Sequence, residues 1–127
     1  PGAEVIPVEP EGWDDVARSL ASGRIEAVGP NPPPTACDAL QTLATQAVNF
    51  GILHGRAGPG VAVSEAEVRA AQRFAFARLR LVLEPGGAVA LAAALAGKVP
   101  LSERTAIVLT GGNTDAASFA AVLASQD

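Results

Sequence analysis

The sequence predicts an α/β fold, a parallel sheet with helices on both faces. Three observations predict it. Short β-branched runs alternate with helical periodicities in the order strand, helix, strand, helix, strand, helix along the 127 residues. One helical run, Gly86 to Ala96, holds no polar residue and must be buried on nearly all sides. Hydrophobic residues make up 49% of the chain but aromatics only 4%, so alanine and valine carry a core suited to close helix-on-sheet packing.

Ala3 to Val8 reads as the first strand, and Asp14 to Ala21 as a helix with two aspartates in its positive first turn. Gly23 closes that helix. Gly29 to Pro34 is too rich in proline for helix or central strand and forms a loop. Gln46 to Gly55 is a short helix interrupted by Gly51. Gly60 to Val63 is a strand, and Ser64-Glu65-Ala66-Glu67 is a capping box. The helix it opens places Val68, Ala71, Ala75, Phe76 and Leu79 on one face. Leu81 to Leu83 is extended, the apolar helix follows, and Gly97 ends it. Thr105 to Leu109 reads as a central strand and Asp115 to Leu123 as the last helix.

The length fits one domain or part of one, and it permits burial of about two thirds of the unfolded surface. A net charge of −4 disfavours nucleic acid, which needs clustered Lys and Arg. No run is long enough to span a bilayer. One cysteine, Cys37, cannot form an internal disulfide, and a reducing cytoplasm is expected.

Several short constellations carry possible chemistry. Thr110-Gly111-Gly112-Asn113 lies between a strand and a helix, where glycines admit a ligand to the backbone and a helix start offers donors. It lacks the lysine of a P-loop, and taken alone an ordinary turn capped by Asn113 or Thr114 is the better explanation. Glu9, Glu11, Asp14 and Asp15 put four carboxylates in seven residues. They suit a hard cation or, more simply, a helix N-terminus. Glu84, flanked by Leu81-Val82-Leu83 and the apolar helix, is either functional or paired with Arg78 or Arg80. His54, the lone histidine, has no ligand cluster around it. Lys98, the lone lysine, follows a helix terminator and is expected in solvent.

Taken in order, these segments resemble the threonine dehydratase, serine dehydratase and serine racemase family, the fold type II pyridoxal-phosphate enzymes. The matching segments are Val8-Glu9-Pro10; Asp14-Asp15; Pro33 to Asp38; Ser64 to Leu83; Glu84-Pro85-Gly86-Gly87-Ala88; and Thr110-Gly111-Gly112-Asn113. The likeness covers somewhat more than the last third of such an enzyme, within the large domain of a tryptophan-synthase-β-like fold. It implies that residues 1–127 are one C-terminal segment whose N-terminal half, with its cofactor lysine and glycine-rich phosphate loop, is absent.

The resemblance also implies residue roles. Thr110 would hydrogen-bond the pyridine nitrogen of pyridoxal phosphate, and a neutral hydroxyl there favours β-elimination over transamination. Gly111, Gly112 and Asn113 would complete the cofactor contact, and Glu84 would be the carboxylate beside cofactor and substrate. Glu9, the Trp13 carbonyl and Asp15 would hold a divalent cation, Mg, Ca or Mn. Arg80 falls at a nucleotide-contacting position. Two residues depart from the family pattern: Cys37-Asp38-Ala39 stands where Ala-Asp-Gly is usual, and Trp13 stands where a small residue is common.

The implied activity is that of a threonine or serine ammonia-lyase, which turns a hydroxyamino acid into a 2-oxo acid and ammonia; this chain alone is expected to be inactive. The alternatives are a serine racemase, a 3-hydroxyaspartate dehydratase, or a non-catalytic interaction module. Expected partners are the hydroxyamino-acid substrate, the missing half or a separate partner chain, and further copies in a homo-oligomer, with neither nucleic acid nor membrane.

Overall fold

The computed structural model describes residues 2–125. Its sheet is a parallel pair, β1 (Val8–Pro10) beside β2 (Val61–Val63), with Val8 opposite Val61, Glu9 opposite Ala62 and Pro10 opposite Val63. The expected first strand lies further upstream, at Ala3 to Val8. Only an isolated parallel bridge from Val5 to Ala57 forms there. Pro7, without an N–H, interrupts the ladder between the bridge and β1.

Side chains alternate across this pair. Val8, Val61 and Val63 face the main core. Glu9 faces the other way and meets helix α1 (Asp15–Ser22). On that same side a β-carbon at Gly60 would overlap Ala17 of α1, so only glycine lets the strand and helix approach so closely. Helices therefore cover both faces.

The core side carries α3 (Glu65–Phe74) and α4 (Pro85–Leu95), which pack on each other and on the strands. As expected, α4 is buried nearly all round, from Gly87 through Ala94 except Ala90. Gly97 turns the chain away at φ 69°. The capping box is present in full: Ser64 Oγ accepts from the Glu67 amide at 3.3 Å, and Glu67 Oε2 accepts from the Ser64 amide at 2.7 Å. A short exposed helix, α2 (Ala47–Leu53), precedes β2. The last helix, α5 (Ala116–Ala124), packs on α3.

Two expectations fail. Helical spacing carries the buried face of α3 on to Phe76 and Leu79, but both are exposed. A π-helical stretch over Ala75–Leu79 turns them out of phase, and it ends at Arg80, the one described non-glycine residue with positive φ (61°). Gln72, four residues after Val68, takes the core position instead. Its Nε2 donates to the Leu83 carbonyl at 2.8 Å. Thr105 to Leu109, the expected central strand, forms no ladder among the described residues and leaves Val108 69% exposed. β-branched residues favour a strand-like backbone but cannot supply a partner. Lys98 is exposed, as expected, and its Nζ also donates to Glu67 Oε2 at 2.7 Å and to the Ala62 carbonyl at 2.9 Å.

Candidate functional site

The C-terminal half of the molecule builds a cradle at the start of α4. Gln72 fixes the Leu83 carbonyl, which sets the chain direction entering Glu84. Glu84 is the N-cap residue of α4 in extended conformation, and Pro85 opens the helix. The 110–113 segment docks on this corner through backbone alone. The Glu84 amide donates to the Gly111 carbonyl at 3.0 Å, and the Thr110 amide donates to the Gly87 carbonyl at 3.4 Å.

Two glycines make this approach possible. A β-carbon at Gly87 would overlap the Thr110 carbonyl, and one at Gly111, whose φ is +64°, would overlap the Glu84 carboxylate. The Glu84 side chain thus lies over Gly111. It makes no capping bond to α4, and it forms no ion pair with Arg78 or Arg80 among the described residues. Thr110, Gly111, Gly112 and Asn113 are all exposed. Asp115, not Asn113 or Thr114, caps α5: its Oδ1 accepts from the Ser118 amide at 2.8 Å. The structure therefore gathers Glu84, Thr110 and the two glycines at one corner, where Thr110 and the glycine backbone are exposed.

A second group lies at the end of β1. Glu9 accepts from the Val16 and Ala17 amides at 3.1 and 2.8 Å, so it caps α1 from outside the helix. Burial pushes its carboxyl up to about 7, against the pull of those two amides, and the nearby Asp15 and Asp14 add to the rise. Asp15 is almost fully buried, and neither of its carboxylate oxygens has a hydrogen-bond partner of good geometry. Burial raises its pKa too, opposed first by the Thr45 backbone. The Trp13 ring is buried, and its Nε1 donates to the Pro33 carbonyl at 2.8 Å.

Glu9 and Asp15 are thus brought together, but among the described residues no cluster of three or more His, Cys, Asp or Glu forms. The orphaned oxygens of Asp15 fit a cation, whereas the Glu9 oxygens are already occupied by α1.

His54 is exposed at the end of α2, with its ring 5.1 Å from Phe50. Cys37 is fully buried in the core, and burial pushes its thiol up to about 11, so it is no nucleophile at neutral pH. Lys98 follows the C-terminal end of α4, whose 11 residues span about 16 Å from the Glu84 corner.

Comparison with known proteins decides the family. The model for the pyridoxal-phosphate dependent enzymes matches residues 1–111. The chain belongs to this family. The match includes Glu84, Thr110 and Gly111 and stops short of Gly112 and Asn113. The serine racemase of Dictyostelium discoideum is 32% identical over 97% of this chain and 39% of its own length. The phenylserine dehydratase of Ralstonia pickettii is 38% identical over 94% of this chain and 37% of its own. Among solved structures, a threonine deaminase from T.th. superposes with a TM-score of 0.80 at 41% identity, covering 88% of this chain and 40% of that one. The chain therefore spans about two fifths of the relatives it matches. No helix among the described residues is long and apolar enough to cross a membrane.

Sequence reasoning missed Gln72 and Glu65, which hold the segments flanking the cradle. The signal for Gln72 was present, since position 72 follows Val68 at helical spacing on the core face. For Glu65, whose partners lie about 30 residues away at Thr35 and Ala36, there was none.

Proposed function

We propose that these residues form the C-terminal part of a pyridoxal-phosphate-dependent ammonia-lyase acting on a hydroxyamino acid. The observation that carries this reading is the corner where the Glu84 carboxylate lies over Gly111, beside the exposed hydroxyl-bearing residue Thr110. The residues fit the cofactor in their chemistry: Thr110 offers a neutral hydroxyl on an exposed segment, Gly111 and Gly112 leave exposed backbone beside it, and no lysine or arginine lies within 110–113. When bound, pyridoxal phosphate supplies an electron-withdrawing ring that acidifies the substrate α-carbon.

The chain's own groups then have distinct tasks. The Thr110 hydroxyl holds the pyridine nitrogen through a neutral hydrogen bond. Gly111, Gly112 and Asn113 line the ring edge. The Glu84 carboxylate offers hydrogen-bond acceptors beside the reacting substrate. A divalent cation held by Asp15 and the Trp13 carbonyl would relieve the two bare carboxylate oxygens, with Glu9 left to α1. The exposed apolar residues Leu79, Leu81 and Val82 are assigned to contact with the remainder of the protein or another copy. Serine racemisation and 3-hydroxyaspartate dehydration use the same groups and are the rival activities.

The test is an assay of the intact protein for 2-oxo acid from threonine, serine and 3-hydroxyaspartate, alongside serine racemisation. Thr110→Val is expected to lower kcat at least tenfold and to shift the bound-cofactor absorbance. Unchanged turnover and spectrum would remove Thr110 from the site. The 127 residues alone are expected to form no 2-oxobutyrate from threonine, because their one lysine is tied to Glu67 at the far end of α4.

A further inference from the structure

The proline-rich run between α1 and α2 is strapped down at successive points that lead toward the cradle. Trp13 Nε1 holds the Pro33 carbonyl. Glu65, the first residue of α3, accepts from Thr35 Oγ1 at 2.5 Å and from the Ala36 amide at 3.2 and 3.3 Å on its two oxygens. Thr35 Oγ1 in turn accepts from the Cys37 amide at 3.1 Å. Cys37 plugs the strap into the core. A 3-10 turn follows over Asp38–Leu40, and it abuts α4 at Gly86. A β-carbon at Gly86 would lie 3.5 Å from Leu40 Cγ and 3.8 Å from Ala39 Cβ. The next residue, Gly87, is the one that receives the Thr110 amide.

Beside the strap is a cavity of about 100 Å³ lined by Ala36, Glu65, Gln72, Pro85, Thr114 and Ser118, among others. Packing does not fill the space beside Ala36, so hydrogen bonds to Glu65 hold the strap there. The cavity also reaches Pro85 and Thr114, which flank the two halves of the cradle.

We propose that Glu65 is a positioning residue for the cradle. Its carboxylate fixes Thr35 and Ala36, these set the 38–40 turn, and the turn sets how Gly86 and Gly87 meet the 110–111 backbone. The cradle's role in holding a ring rests on the cofactor reading above, but the mechanical coupling does not. A glutamine at 65 still offers one accepting oxygen to Thr35. An aspartate, shorter by one methylene, does not reach it. An alanine offers nothing.

Amide NMR and hydrogen exchange on the intact protein, without cofactor, test this. In Glu65→Ala the Ala36 and Cys37 amides are expected to exchange about tenfold faster, the change expected for losing a hydrogen-bond contribution of ordinary size. The Gly86, Gly87 and Gly111 signals are expected to move, while Ala71 and Gln72 within α3 stay put. Glu65→Asp is expected to match the alanine variant, and Glu65→Gln to restore most of the wild-type positions. If Glu65→Ala does not fold, Thr35→Val removes the hydroxyl from the other side and is expected to move the same glycines.

Faster exchange at Ala36 with unmoved Gly86, Gly87 and Gly111 would overturn the proposal, as would unchanged exchange at Ala36. Failure of the cofactor reading shows separately, as a bound-cofactor spectrum indifferent to Thr110→Val.

Discussion

Glu9 and Glu84 are both carboxylates at the entrance to a helix, yet the fold treats them in opposite ways. Glu9 is buried and commits both oxygens to the amides of Val16 and Ala17. Glu84 occupies the N-cap position of α4 itself, but its side chain makes no capping bond, is half-buried and lies over Gly111. The first carboxylate is absorbed by the structure. The second is held at a helix N-terminus by backbone contacts alone, which leaves its oxygens available to a ligand. A carboxylate at a helix start is therefore no functional signal until its acceptor capacity has been accounted for.

The largest way to break this contrast is at Gly87. Gly87→Val drives a side chain into the Thr110 carbonyl, and we expect a loss of about 3 kcal/mol in denaturant unfolding, the upper end of overpacking costs. Unchanged stability would mean that the 110–113 segment does not dock where it is described.

The Glu9 pocket is sharpened by pH. Folded Glu9 titrates at about 7 against 4.5 for the ordinary group, so the folded state binds an extra proton between those values. Its contribution to stability is greatest below about 4.5 and falls as pH rises through 7, by on the order of 1 kcal/mol after solvent screening. The direction for Asp15 is the same. Glu9→Gln is expected to flatten that slope, at a constant cost of about 1 kcal/mol for the helix amide it leaves unpaired. Thermal unfolding between pH 5 and 8 reads both effects. A slope that survives the substitution would place the titration elsewhere.

The smallest expected effect is at Glu84. Glu84→Gln is expected to change stability by no more than about 0.5 kcal/mol, because no bond in the fold depends on the charge. The same variant is expected to cost the intact enzyme most of its turnover. A large stability loss would make Glu84 a second Glu9.

Much of this was legible without coordinates. The Ser64–Glu67 box, the cap at Gly23 and the burial of α4 follow from neighbours within four residues or from a run lacking polar groups, and each appears as expected. That Glu84 lies beside Thr110 and Gly111 was implied only by the family resemblance, since nothing local links positions 84 and 110.

What could not be read concerns partners far along the chain. A run such as Thr105 to Leu109 chooses its backbone locally, but a ladder needs a second strand with matching register, and none forms among the described residues. The π-helical shift that exposes Phe76 and Leu79 breaks the 3.6-residue period on which a reading of helical faces rests. The clasp of Lys98 to Glu67 and of Glu65 to Thr35, and the raised pKa of Glu9, come from groups set together by folding. Hydrogen-bond acceptance and desolvation depend on distances in space. A sequence specifies those distances only within a turn of helix or a single strand.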